Sequence, residues 1–309
     1  MKRRAPHSHL AFALTLAACG GGASPAVPPP PAPPPESGAT DAIGAQAAST
    51  APAQAVEAPP PAVDLQAVPP PPAPDPMPSV KITAPRADQV IPVDRAPSFE
   101  VALNVQSWPV AKDGPHVHLI LDNEPYLAVY EPKASIALRD VAPGASLGEG
   151  QHVLIAFPSR ENHVSVKPDR GARPFAAVSF WIGKRGTPTW RPTDPTLVYS
   201  RPKGEYAGPE ADEVLLDFYL LNAELGEGKF FVHPMITPPL GDPRSITVTA
   251  WQPFQLKNLP VGETRVKLEL RDPSGVVVPG PWNSTERVIT VKRSSAPRSA
   301  TDPHAGAGH

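Results

Sequence analysis

The sequence predicts an all-β protein with two tandem β-sandwiches, residues 79–183 and 184–293, behind a cleavable leader and a Pro-rich stalk. Three observations predict it. After Ser79, short β-branched and aromatic runs recur between Gly, Pro, Asn and Asp at sandwich-strand spacing. No stretch sustains a helical period. The two halves of this region read as diverged copies, a duplication of domains rather than the about 20–50-residue unit of a solenoid.

Composition sets the limits. Of 309 residues, 47 are proline, and they crowd the first quarter of the chain, so the foldable part is shorter than the whole. The 40% of hydrophobic residues still suffices for a core. A formal charge of −2, more negative once Lys2, Arg3 and Arg4 leave with the leader, argues against a nucleic-acid partner, which calls for a basic patch. One cysteine excludes an internal disulfide framework and the cysteine-built zinc and iron–sulfur sites.

The chain opens MKRRAPHSHLAFALTLAACGGG, with a cationic start, a short apolar stretch from Leu10 to Ala18, and small residues leading to Cys19. That stretch is too short to span a bilayer, which takes about 20 apolar residues. Leu16-Ala17-Ala18-Cys19 resembles the lipobox of bacterial lipoproteins. The resemblance implies a signal peptide over 1–18, cleavage before Cys19, diacylglycerol on its thiol and a fatty acyl chain such as palmitate on the new amino terminus. Two or three such chains, at about 0.8 kcal/mol per buried CH₂, hold a protein firmly on a membrane. Gly20 stands where many inner-membrane lipoproteins carry aspartate, which implies the outer membrane of the cell envelope.

Residues 19–78 carry runs such as VPPPPAPPPESG and VPPPPAPDPMP, and read as a disordered stalk with polyproline II segments rising about 3.1 Å per residue. The tail, 294–309, ends in HAGAGH and also reads as disordered. Between them, expected strands of the first module are SVKIT (79–83), FEVALNV (99–105), HVHLILD (116–122), YLAVY (126–130), SIAL (135–138), QHVLIAF (151–157) and FAAVSFWI (175–182). Those of the second are LVYS (197–200), VLLDFYL (214–220), KFFVHPMI (229–236), SITVTA (245–250), TRVKLEL (264–270) and ERVITV (286–291), after a Pro-rich linker. The run DGPHVHLILDNEP followed by LGEGQHVLIAF is similar to bacterial Ig-like repeats of the GxHxHxxLDG type, over roughly residues 97–183. This implies two Ig-like sandwiches. In the second module Phe230 and Val232 stand opposite His116 and His118, and Glu263 or Thr264 replaces His152.

The candidate chemistry rests on histidines. Alternation along HVHLILD sends Val117, Leu119 and Leu121 to one face, and His116 and His118 to the other. In QHVLIAF, Val153, Ile155 and Phe157 take the core parity and His152 the opposite one. As neighbouring strands of one Ig-like sheet, the two would bring His116, His118 and His152 together on an outer face, with His163 joining from the next loop. Such a set suits Zn or Cu. The plainer reading is packed strand histidines and no cofactor. Trp190 and Trp282, in Pro/Gly-rich loops, and Tyr126 and Tyr130 are candidate contacts for a protein or glycan. Asp122, Glu124, Glu131, Asp212, Glu213 and Asp217 read as solvated strand ends. No GxSxG, Walker or HExxH motif is present. The expectation is a non-enzymatic, lipid-anchored envelope protein for adhesion, scaffolding or protein/glycan binding. Alternatives are a metal-binding protein and an enzyme without a recognisable motif.

Overall fold

The computed structural model describes residues 62–132, 134–169 and 171–293. The leader, Cys19, the stalk to residue 61 and the tail with His304 and His309 lie outside the described residues. Strand β1 (Asp64–Ala67) comes first. The first sandwich follows as β2 (Ser79–Ala84), β3 (Val90–Ile91), β4 (Glu100–Gln106), β5 (His116–Leu121), β6 (Leu127–Val129), β7 (Ile136–Ala137), β8 (Gly150–Ser159) and β9 (Ala176–Ile182). A one-turn helix, α1 (Leu138–Val141), ends the SIAL segment. The second sandwich holds β10 (Thr196–Arg201), β11 (Gly204–Ala207), β12 (Glu213–Leu221), β13 (Phe231–Thr237), β14 (Arg244–Ser245), β15 (Phe254–Lys257), β16 (Gly262–Arg271) and β17 (Ser284–Lys292). Among the described residues no helix is long and apolar enough to cross a membrane.

The duplication holds at the level of topology. The first sandwich packs sheet β2-β4-β7 on sheet β3-β9-β8-β5-β6, and the second packs β10-β12-β15 on β11-β17-β16-β13-β14 in the same order. Both have a short parallel edge, β3 on β9 and β11 on β17. Equivalent strands correct the expected alignment by one residue. Val117 and Val232 both face their own sandwich core, so His118 corresponds to His233 and His116 to Phe231. His152 corresponds to Thr264, and both are buried.

Two expectations fail in detail. The end of the stalk is not disordered: β1 adds a fourth strand to the second sandwich, antiparallel to β15, with Leu65 opposite Leu256. Val63 joins that sandwich's core and Leu65 packs against it. SITVTA is not a continuous strand. Only Arg244–Ser245 pairs with β13, and Val248 makes an isolated bridge to Val232.

Each sandwich has its own apolar core. Val117, Leu119, Leu121, Leu154 and Phe180 belong to the first, and Leu216, Phe218, Val232, Leu268 and Ile289 to the second. A third core lies between the sandwiches, which belong to one compact unit. There Ile120, Val153, Ile155 and Phe157 of β5 and β8 meet Val198, Tyr219 and Leu221 of β10 and β12. Both faces of β5 and β8 are therefore buried, and the parity reading of QHVLIAF is corrected. Val153, Ile155 and Phe157 face the neighbouring sandwich, while Leu154 and Ala156 face their own.

Polar contacts complete this seam. Fully buried Asp217 accepts hydrogen bonds from Lys167 Nζ and Ser165 Oγ, each at 2.6 Å, so it is no solvated strand end. The Lys167 ammonium also donates to the Phe218 carbonyl at 2.7 Å. Arg287 lies 4.2 Å over the Tyr199 ring and donates to the carbonyls of Asn123, Tyr199 and Ser200. The amide nitrogen of Tyr199 donates to Asn123 Oδ1 at 2.8 Å. Buried charges of this kind are tolerated only when hydrogen-bonded, and here each has its partners.

Candidate functional site

At one end of the seam, β5 turns its two alternate histidines toward the second sandwich. A spacing of two along a strand puts both rings on one face. Both His116 and His118 are fully buried. Their Nε2 atoms stand 3.0 Å apart. His163 comes from the turn after β8, closed by its own amide donating to the Arg160 carbonyl at 2.9 Å. Its backbone is left-handed, φ 65°, an uncommon conformation for a residue with a side chain. This sets His163 Nδ1 at 3.1 Å from His116 Nε2. One ligand atom from each of the three lies within 4.8 Å of the others.

The ring orientations are fixed from outside. His116 Nδ1 faces the Gly114 carbonyl at 2.8 Å, and His118 Nδ1 faces Ser200 Oγ at 3.1 Å across the seam. Tyr126 stacks on His118 with centroids 3.5 Å apart, and its hydroxyl lies 3.2 Å from His163 Nδ1. The Tyr130 ring rests 4.9 Å from His116. Arg201 Nε donates to the Tyr126 hydroxyl at 2.7 Å, and Lys203 sits over that ring while donating to the Tyr126 carbonyl.

Burial and these cations govern the protonation states. Burial holds His118 well below the usual histidine range, with the neighbouring imidazoles adding to it. Burial and then Arg201 bring His163 down to about 3. His116 is also lowered, by burial first and against the Gly114 hydrogen bond. All three rings are therefore neutral at physiological pH, the state in which imidazole offers a lone pair. Lys203 itself is lowered to about 8, by burial and then by Arg201.

His152 does not join them. It projects into the first sandwich, stacks on Phe180 and faces Asp122 Oδ2 at 2.6 Å and the Gly148 carbonyl at 2.9 Å. The expectation that it would share a face with His116 and His118 fails because QHVLIAF buries both of its faces. Trp190 and Trp282 are also corrected: they are only 1% and 8% exposed and stack on each other at 6.0 Å within the seam. Trp190 Nε1 donates to Thr196 Oγ1 at 2.9 Å. Tyr126 is buried against His118 and so is corrected as a surface contact, whereas Tyr130 is half-buried beside His116. Ser200, Arg201 and Lys203 escaped the sequence reading. They lie some 80 residues away in another module, and only the seam brings them to the histidines.

No family model matches the chain, and no curated protein does. Among solved structures it is similar to the fibronectin(III)-like modules of Clostridium thermocellum CbhA, at 15% identity over 74% of this chain and 100% of that one, TM-score 0.24. It is also similar to a tetra-tandem repeat from the extending region of a large adhesion protein, at 13% identity over 69% of this chain and 48% of that one, TM-score 0.22. A third is the Ig1-2 module of the Drosophila receptor protein tyrosine phosphatase DLAR, at 11% identity over 70% of this chain and 99% of that one, TM-score 0.21. The all-β class of the fold rests on the chain's own strands and sheet pairing.

Proposed function

We propose that the chain is a lipid-anchored, non-enzymatic protein of the bacterial cell envelope, held in the outer membrane through Cys19 and presenting its fused sandwiches to a protein partner. The observation that carries the reading is the seam. Lys167, Asp217 and Ser165 bond one another, Arg287 is held by carbonyls, and Ser200 is fully buried. These acid–base and hydroxyl groups are thus engaged in joining the sandwiches. A body locked in this way favours display of a fixed surface over opening around a substrate. A hollow of about 470 Å³ runs along the seam and draws on both sandwiches, with Glu124 and Pro125 on one side and Lys203, Trp282 and Arg287 on the other. Its mixed charge suits a protein surface.

Fractionation of cells and labelling with palmitate test the anchor. Wild type is expected in the outer membrane with label, and Cys19→Ser in the soluble fraction without it; an unlabelled wild type would refute the anchor. For the partner, the Cys19→Ser chain is expected to capture an envelope protein, and Glu124→Arg at the rim of the hollow to lose it. Absence of capture, or capture indifferent to Glu124→Arg, counts against the binding surface.

A further inference from the structure

We infer that His116, His118 and His163 form a binding site for one borderline transition-metal ion, with Zn²⁺ and Cu²⁺ the fitting species. This goes beyond the anchored-display reading and does not depend on it. The nitrogens that meet are His116 Nε2, His118 Nε2 and His163 Nδ1, with separations of 3.0 and 3.1 Å about the first. Imidazole nitrogens held tetrahedrally at about 2.0–2.1 Å from zinc stand about 3.3 Å from one another; the two separations about His116 lie within tenths of an ångström of that, and all three ligand atoms lie within 4.8 Å of one another.

Protons alone do not satisfy this arrangement. Nδ1 of His116 faces a carbonyl, which only accepts, so it carries the hydrogen of the neutral ring. That leaves Nε2 with one in-plane lone pair. His118 Nε2 and His163 Nδ1 both approach it, and one lone pair takes one good hydrogen bond. The Tyr126 hydroxyl competes for His163 Nδ1 as well. An ion at the centre takes all three lone pairs at once. The outer contacts are those that orient metal-binding histidines: a backbone carbonyl on His116 and a hydroxyl on His118.

The donor set selects the ion. Three imidazoles without a carboxylate suit Zn²⁺ or Cu²⁺ and discriminate against Mg²⁺ and Ca²⁺, which take oxygen ligands. Arg201 and Lys203 face the cluster across Tyr126 and disfavour added positive charge. They favour an anion, such as chloride or hydroxide, at the position the three histidines leave open.

The test uses the chain from residue 19 onward, carrying Cys19→Ser to keep it in solution and His304→Ala with His309→Ala to remove the tail imidazoles. After chelator treatment it is titrated calorimetrically with ZnCl₂, CuCl₂ and MgCl₂. One equivalent of Zn²⁺ or Cu²⁺ and no response to Mg²⁺ are expected. His163→Ala, on a half-exposed turn, is expected to weaken binding about tenfold or more while the far-UV spectrum stays unchanged. Should that variant misfold, His163→Gln takes its place. The Cu²⁺ form is expected to show coupling to three nitrogens by electron paramagnetic resonance, and to two in the His163 variant. No uptake by the parent chain, or uptake that the His163 variant leaves intact, overturns the site.

Discussion

At the β5–β6 turn, Asp122 accepts a hydrogen bond from the Val153 amide through one carboxylate oxygen and faces His152 through the other. The turn itself places Asp122 and Asn123 at φ 50° and 60°, conformations that Asp and Asn tolerate better than most residues. The histidine-rich motif therefore contains two separate pieces of chemistry. Asp122 and His152 clasp the hairpin to β8 within the first sandwich, whereas His116 and His118 look outward to the seam. His152 is lowered by its burial, but the hydrogen bond and charge of Asp122 outweigh this and its pKa is raised. A raised folded-state pKa contributes stability in full below the unfolded value near 6.5, and loses it as pH rises through the folded value. The gap in melting temperature between wild type and Asp122→Asn is therefore expected to be widest near about pH 5.5 and to narrow toward about pH 8.5; a gap that widens with pH would contradict the assignment. Trp190 gives a second test at this scale. Its truncation to alanine empties a fully buried place in the seam and should cost about 3–5 kcal/mol in chemical denaturation, against almost nothing if it were an exposed binding residue.

Among the elements, β1 shows what a sequence pattern hides. Its apolar residues, Val63 and Leu65, sit between Pro-rich runs, and its partner β15 lies about 190 residues further on. No local signal marks a four-residue strand whose ladder depends on such a distant pairing. β15 itself was missed as a strand because FQLK holds two apolar residues between Pro253 and Asn258, although the repeat aligns it with the SIAL segment. The longer strands, β5, β8, β9, β12, β16 and β17, were legible because each buries a full alternating face. Alternation does not say what lies on the other face. On β5 and β8 that face meets a second sandwich, so the histidine pair was legible, its escort from β10 was not, and His152 was placed on the wrong side. A chain beginning at residue 79 is expected to lose hydrogen-exchange protection in β15 and to melt below a chain beginning at 62. Equal protection in the two would mean that β1 adds nothing.

For the molecule as a whole, the apolar core between the sandwiches and the Lys167–Asp217 ion pair couple the two. Calorimetry should therefore record one transition for residues 62–293, with calorimetric and van't Hoff enthalpies equal. Two separate transitions would show that the seam opens before either sandwich. Asp217→Ala leaves the Lys167 ammonium buried without its carboxylate and is expected to cost about 3–5 kcal/mol, split between the sandwiches if the seam is shared and absent if it is incidental.

The edge strand β1 also decides how the body responds to a pull on its amino-terminal side. The chain enters the fold through a ladder of four residue pairs with β15. Traction along the strand axis loads those rungs together, in shear, whereas traction at right angles opens them one after another. A tether fastened there transmits force into the second sandwich before the first. The first sandwich, with its histidines, then sits downstream of a mechanical clasp and is shielded from the line of tension until β1 lets go.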